Sequence, residues 1–155
     1  MERGISFEIP NKYGSLLGEI LKPFDTAKFI WRSGGEESYL LKGDELGELL
    51  FKDELNWMEG IHFKELIEDN NYYLIFADLK AYPRINQGDD IKTYEDFLKS
   101  DCQFVLLVVD SAYVTIYCKD YESLKSLYEN AKNKGFDNLQ YITINNDTRA
   151  NLTVW

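Results

Sequence analysis

Apolar and polar positions along this chain change period several times, and each change marks an element. Between Arg3 and Ile9, the residues Ile5, Phe7 and Ile9 alternate with Ser6 and Glu8, the two-residue period of a strand with one buried face. Pro10-Asn11 stops that strand. Asn11 is placed to cap a helix in which Tyr13, Leu16, Leu17, Ile20 and Leu21 recur at helical spacing as far as Lys22-Pro23. Strands are expected over 27–32 and 38–42, with Ser33-Gly34-Gly35 as the hairpin turn between them. In 43–61, Leu46, Leu49, Leu50 and Leu55 suit a helix, against Gly47 and Gly60.

The second half is more regular. A short helix is expected over 62–69 on the face of Phe63, Leu66 and Ile67, then a strand over 72–79 and a loop through Pro83 to Asp90. Thr93-Tyr94-Glu95-Asp96 has the spacing of a capping box, because a Thr hydroxyl and an acid three residues on can satisfy each other's backbone donors. Residues 103–109 are apolar on both faces, which marks a central strand, and 113–118 returns beside it. Asp120 caps a helix lined by Tyr121, Leu124, Leu127, Tyr128 and Ala131 and stopped by Gly135. Strands over 139–144 and 151–155 follow. The order β-α-β-β-(α)-α-β-α-β-β-α-β predicts an α+β fold over 1–155 as a single globular domain. Its sheet is mostly antiparallel, with helices packed on one face.

Composition supports a packed core. Of 155 residues, 45% are hydrophobic and 15% aromatic, enough apolar area to offset the entropy of ordering. The formal charge is −10, from 27 acids against 17 bases. Counterion release on a phosphate backbone needs clustered Lys and Arg, so nucleic acid is not expected as a ligand, nor is an anionic membrane surface. A basic protein partner and plain solubility both fit such a charge. The Met1 segment has no signal-length apolar run, and the longest such run, 104–109, is too short to cross a bilayer; a cytoplasmic setting is expected.

Candidate chemistry is thin. The lone histidine, His62, excludes two-His metal sites and reads as a surface or capping residue. No phosphate-loop, dinucleotide or nucleophile-elbow pattern occurs, and neither a catalytic residue, a metal nor a cofactor is expected. The acid-rich 86–90 run reads as a solvated loop rather than a cation site. Cys102 and Cys118 would face each other across a hairpin turning at Val109-Asp110-Ser111, as two buried, reduced thiols more than a redox pair. Asp78, inside a strand, is the one acid that could serve a ligand pocket or acid–base site.

Charge distribution says more. From Glu36 to Glu59 there are eight acids and two lysines, a net −6 in 24 residues, with Tyr39, Phe51, Trp57 and Met58 among them. Aromatic anchors ringed by acids suit a surface for a basic partner, because anchors supply affinity and charges steer encounter. The candidate partner-binding residues are Glu45, Glu48, Phe51, Asp53, Glu54, Trp57 and Glu59; a solvated segment whose rings reach the core would show the same pattern. Function is thus expected to be non-enzymatic, an acidic protein-binding domain of immunity or antitoxin type. The alternative is a small-ligand protein or enzyme using Asp78 in an aromatic-lined pocket, and self-assembly stays open.

The opening Arg3-Gly4-Ile5-Ser6-Phe7-Glu8-Ile9-Pro10-Asn11, with Tyr13-Gly14, Ile20-Leu21-Lys22-Pro23 and Trp31, resembles a family of small uncharacterised Bacillus-type proteins, domain of unknown function 2691. The resemblance implies a bacterial cytosolic setting and transfers no functional residue.

Overall fold

A computed structural model describes residues 1–52, 57–85 and 91–154. In chain order the elements are β1 (Gly4–Glu8), α1 (Leu16–Ile20), a 3-10 turn (Thr26–Lys28), β2 (Ile30–Lys42), β3 (Glu45–Leu49), β4 (Trp57–Glu59) and α2 (Gly60–Glu68). Then come β5 (Tyr72–Tyr82), α3 (Tyr94–Lys99), β6 (Phe104–Val109), β7 (Tyr113–Cys118), α4 (Tyr121–Asn133) and β8 (Asp137–Ile142). The described strands form one sheet in the order β3-β2-β5-β6-β7-β1-β8, with β4 also on β2. Every pairing of these strands is antiparallel. The fold is α+β, as the element order predicts.

The apolar run of β6 explains the layering. Phe104, Leu106 and Val108 point into one core with Ile5, Phe7, Val114 and Ile116, which α1, α2 and α4 cover through Leu17, Phe63, Ile67, Leu124 and Leu127. Val105 and Leu107 point the other way, into a second cluster with Tyr82, Tyr117, Phe97 of α3 and Leu152. Helices therefore do not all lie on one face: α3 and the segment after β8 cover the other side. A strand buried on both faces needs both layers.

Most aromatic rings serve this packing. Trp31 is 1% exposed, stacks on Phe63 at 4.1 Å between centroids, and donates its indole N–H to the Thr26 carbonyl at 2.9 Å. Gly60, at the start of α2, lets the chain pass there, since a Cβ would stand 2.4 Å from both the Phe29 and Thr26 carbonyl oxygens.

Several expectations are corrected. The hairpin turn at Ser33-Gly34-Gly35 is absent; β2 runs through it, pairs with β5 on both sides, and takes up the slack as bulges between Gly34 and Ser38. An eleven-residue partner strand favours a continuous ladder, and glycine suits a bulge as well as a turn. The helix considered in 43–61 is replaced by β3 and β4. Gly43, at φ 66°, makes the turn that folds β3 back so that Glu45 faces Lys42. α1 begins at Leu16 with Ser15 at its cap, so Asn11 does not cap it; Asn11 accepts from the Tyr73 hydroxyl instead. The strand expected from Ala27 starts as the 3-10 turn. No strand forms over 151–154, and Trp155 lies outside the described residues, as do Leu55 and the 86–90 loop.

The capping box at α3 forms as its spacing predicts: the Asp96 N–H donates to Thr93 Oγ1 and the Thr93 N–H to Asp96 Oδ2, both at 3.1 Å. Asp120 accepts from the Ser123 N–H at 3.0 Å at the head of α4, and Gly135, at φ 73°, follows its end.

Candidate functional site

The acidic segment lies along one rim of the sheet. β2 is flanked on its outer side by β3 at one end and β4 at the other, with Lys42 opposite Glu45 and Arg32 opposite Trp57. Ten residues of strand separate those two points on β2, about 33 Å at strand rise. The predicted residues thus form two clusters rather than one patch.

At the first cluster Asp44, Glu45 and Glu48 are exposed, with Lys42 their only described basic neighbour in the hairpin. β3 ends the strand order, so its outer backbone groups have no strand partner among the described residues. At the second cluster Glu59 is exposed and Trp57 half-buried. Trp57 is already engaged: its ring packs edge-on to Tyr82 at 5.1 Å, and the Arg32 guanidinium lies 5.6 Å from its centroid. Asp53 and Glu54 lie outside the described residues.

Phe51 is corrected outright. It is 3% exposed, belongs to the main core and packs with Phe63 at 6.2 Å, so it is no surface anchor. It stands between Leu49-Leu50 and the charged Lys52-Asp53-Glu54, and sequence alone could not separate a ring reaching inward from one facing out.

Asp78 is buried, but not in an open pocket. β5 carries it on the face opposite α1, α2 and α4, two residues from Lys80, whose Nζ donates to its Oδ1 at 2.6 Å. Both side chains are at most 10% exposed. Above them runs the segment after β8: Lys80 also donates to the Leu152 carbonyl at 3.0 Å, and the Val154 N–H donates to the Asp78 carboxylate. Burial raises the Asp78 pKa, and the Lys80 charge and hydrogen bond oppose that rise.

The same segment is pinned nearer β8. Asp147 accepts from Arg3 at 3.1 Å and from the Tyr117 hydroxyl at 2.9 Å, and the Arg3 guanidinium lies 4.1 Å from the Tyr94 centroid. Sequence reasoning singled out Asp78 alone in this network. Arg3, Lys80, Asp147 and Arg149 share no motif and meet only through topology.

The thiols do not face each other. Cys118 pairs across from Phe104, and Cys102 falls in the second cluster while Cys118 belongs to the first. The turn is Asp110-Ser111-Ala112, one residue later than expected, with Asp110 and Ser111 at φ 51° and 64°. Moving a turn by one residue moves the pairing by two. Burial pushes the Cys102 thiol up to about 11 and the Cys118 thiol up to about 12, so both are inert at neutral pH. Cavities of about 370 and 400 Å³ border Cys118; Asp25, Lys28, Asp120 and Ser123 also line the first, and Glu2 and Lys119 the second. His62 is exposed on the first turn of α2. No group of three metal-ligating side chains occurs among the described residues.

A family model described as "Protein of unknown function (DUF2691)" matches residues 2–153. The chain belongs to this family. It is 44% identical over 154 residues to "Uncharacterized protein YncE" of Bacillus subtilis (strain 168), covering 99% of this chain and 100% of that protein. No solved structure matches it. The match extends the likeness of the opening third to nearly the whole DUF2691 chain, so β3, Asp78 and the segment over it as far as Thr153 fall within the family's span. Neither the family description nor the relative's name assigns an activity, and the sites above rest on geometry alone. No helix among the described residues is long and apolar enough to cross a membrane.

Proposed function

We propose that this DUF2691 chain is a non-enzymatic binding protein whose acidic β3 edge receives a basic segment of another protein. One observation carries the reading: an edge strand with open backbone groups that also presents Asp44, Glu45 and Glu48 to solvent. Charged edges deter indiscriminate pairing with other strands, and an all-acid edge repels its own kind while admitting a Lys- or Arg-bearing one.

Magnitudes limit what the charges can do alone. Exposed ion pairs are worth about 0.2–1 kcal/mol each, so three supply at most about 3 kcal/mol. Micromolar affinity needs about 8 kcal/mol. Backbone hydrogen bonds along β3 and contact with Leu46, 46% exposed on the same strand, must supply the remainder. An immunity- or antitoxin-type role is the specific form of this reading and rests on class-level likeness alone. A cytoplasmic setting belongs to the proposal.

The test is charge reversal at the edge. Glu45→Lys with Glu48→Lys leaves both side chains exposed and the fold undisturbed, and abolishes capture of a basic partner that wild type releases at moderate salt. Retention of the same partner by the variant rejects the edge as its site.

A further inference from the structure

The second face of the sheet is packed over only part of its width. Towards β6 and β7 it lies under α3 and under the strap that residues 147–154 form over Asp78 and Lys80. Towards β3 it carries a different set of side chains. Tyr72 and Leu74 point into the first core and Leu40 packs against it, so Tyr39, Leu41 and Tyr73, their chain neighbours, point the other way. Register brings two more residues to that side: Leu49 pairs with Tyr39 and Leu46 with Leu41, while Tyr39 pairs in turn with Tyr73. All five are half-buried or exposed, and none belongs to either core cluster of the described residues. Tyr13, 51% exposed, packs edge-on to Tyr73 at 5.4 Å and continues the surface past β5.

Dimensions and charge select the occupant. Three strands spaced about 4.8 Å apart make the stripe about 10 Å wide, and its two rows, Leu46-Leu41 and Leu49-Tyr39-Tyr73, stand about 7 Å apart at strand rise. That is the footprint of one α-helix, about 10–12 Å in diameter, whose apolar residues recur on each turn. A stable dimer buries about 800 Å² on each copy, more than these six side chains can offer. A second copy would also set Asp44, Glu45 and Glu48 against their own like. Those exposed acids border the stripe along the β3 hairpin, so the helix that fits is basic on its flank. The Tyr39 and Tyr73 rings add cation–π contacts for the same Lys or Arg side chains.

We propose that this stripe is a docking surface for a basic amphipathic helix of a partner protein. The helix lays its apolar face on Tyr39, Leu41, Leu46, Leu49 and Tyr73 and sets Lys or Arg against Asp44, Glu45 and Glu48. The surface uses side chains on the face of the sheet rather than the outer backbone groups of β3, so it does not rest on strand addition at that edge.

The probes are two fluorescent peptides of identical Leu and Lys composition, each about fourteen residues long: in one the leucines recur at helical period, in the other they alternate with lysine. Anisotropy titrations at about 150 mM salt screen diffuse attraction to the acidic chain. Wild type binds the helical-period peptide about tenfold or more tighter than the alternating one. Tyr39→Thr with Leu41→Thr removes that preference and leaves β3 and its acids in place; threonine suits a strand, so the sheet is kept. Equal binding of the two peptides, binding of neither, or a preference that survives in the folded double variant overturns the proposal. Tighter binding of the alternating peptide also overturns it, and its loss in Glu45→Lys with Glu48→Lys would then assign the site to the β3 edge.

Chemical-shift mapping on wild type keeps the test independent of that variant's folding. Titration with the helical-period peptide moves the amide signals of Tyr39, Leu41, Leu49 and Tyr73 and leaves those of Val105 and Leu107, under the strap, in place. Movement confined to Asp44, Glu45 and Glu48 shows charge contact alone and rejects the face as a docking surface.

Discussion

Lys80→Met tests whether the ion pair beneath the strap is a structural charge couple. The Nζ–Oδ1 contact is 2.6 Å long, with both side chains at most 10% exposed. At an effective dielectric near 20 the attraction across such a contact is about 6 kcal/mol, set against the desolvation of two ions. Methionine removes the attraction and leaves the buried Asp78 carboxylate only the Arg149 charge and the Val154 N–H, a net loss of at most about 3–5 kcal/mol. Total stabilities of such domains are about 5–15 kcal/mol, so the loss is a large share.

The loss must also depend on pH. Asp78 already has a raised pKa from burial, and without Lys80 it rises further. A carboxyl whose folded pKa exceeds its unfolded value contributes stability below the unfolded value and loses it as pH rises through the folded one. The deficit of the variant is therefore greatest near about pH 7 and shrinks toward about pH 4, the ordinary carboxylate range. Urea unfolding followed by tryptophan fluorescence measures it at both values. Adding Asp78→Asn to Lys80→Met removes the stranded charge and keeps an acceptor for the Val154 N–H, so the double variant recovers most of the loss. A single-variant loss under about 1 kcal/mol, unchanged with pH, refutes the reasoning.

Further expectations concern the core and the thiols. Phe51→Ala opens a cavity against Phe63 and costs about 3–5 kcal/mol in urea unfolding, whereas a surface anchor would cost almost nothing. Gly60→Ala forces a Cβ onto two carbonyl oxygens and costs about 1–3 kcal/mol in the same assay. Thr93→Ala removes one arm of the α3 capping box for about 1 kcal/mol, which urea midpoints resolve. Native protein prepared without reductant shows no disulfide, and its two thiols react with a chromogenic thiol reagent only at the unfolding rate; fast reaction of either would contradict the burial of Cys102 and Cys118.

Legibility in the sequence followed the reach of each signal. The α3 capping box, the Asp120 cap and the doubly apolar β6 depend on residues within a few positions, and all three stand where their spacing puts them. The β2 glycines went the other way because their fate was decided by β5, some forty positions away, which offers a ladder along the whole strand. Leu46 and Leu49 mimic helical spacing, yet Leu46 faces solvent on an edge strand. The acidic character of the candidate site was plain from composition, but its division into two ends of a rim was not, because pairing with Arg32 and Lys42 sets that distance. Asp78 stood out as an acid inside an apolar strand. Lys80, Arg3, Asp147 and Arg149 did not, because a network assembled across three elements and the strap leaves no local pattern.

The acidic edge is tested most directly by capture from a Bacillus lysate with tagged wild type and the Glu45→Lys/Glu48→Lys variant in parallel, eluted in rising salt and read by mass spectrometry. The account predicts a basic protein that wild type retains at low salt, that moderate salt releases, and that the variant fails to capture. Identical proteins on both baits, or none on wild type, would contradict it.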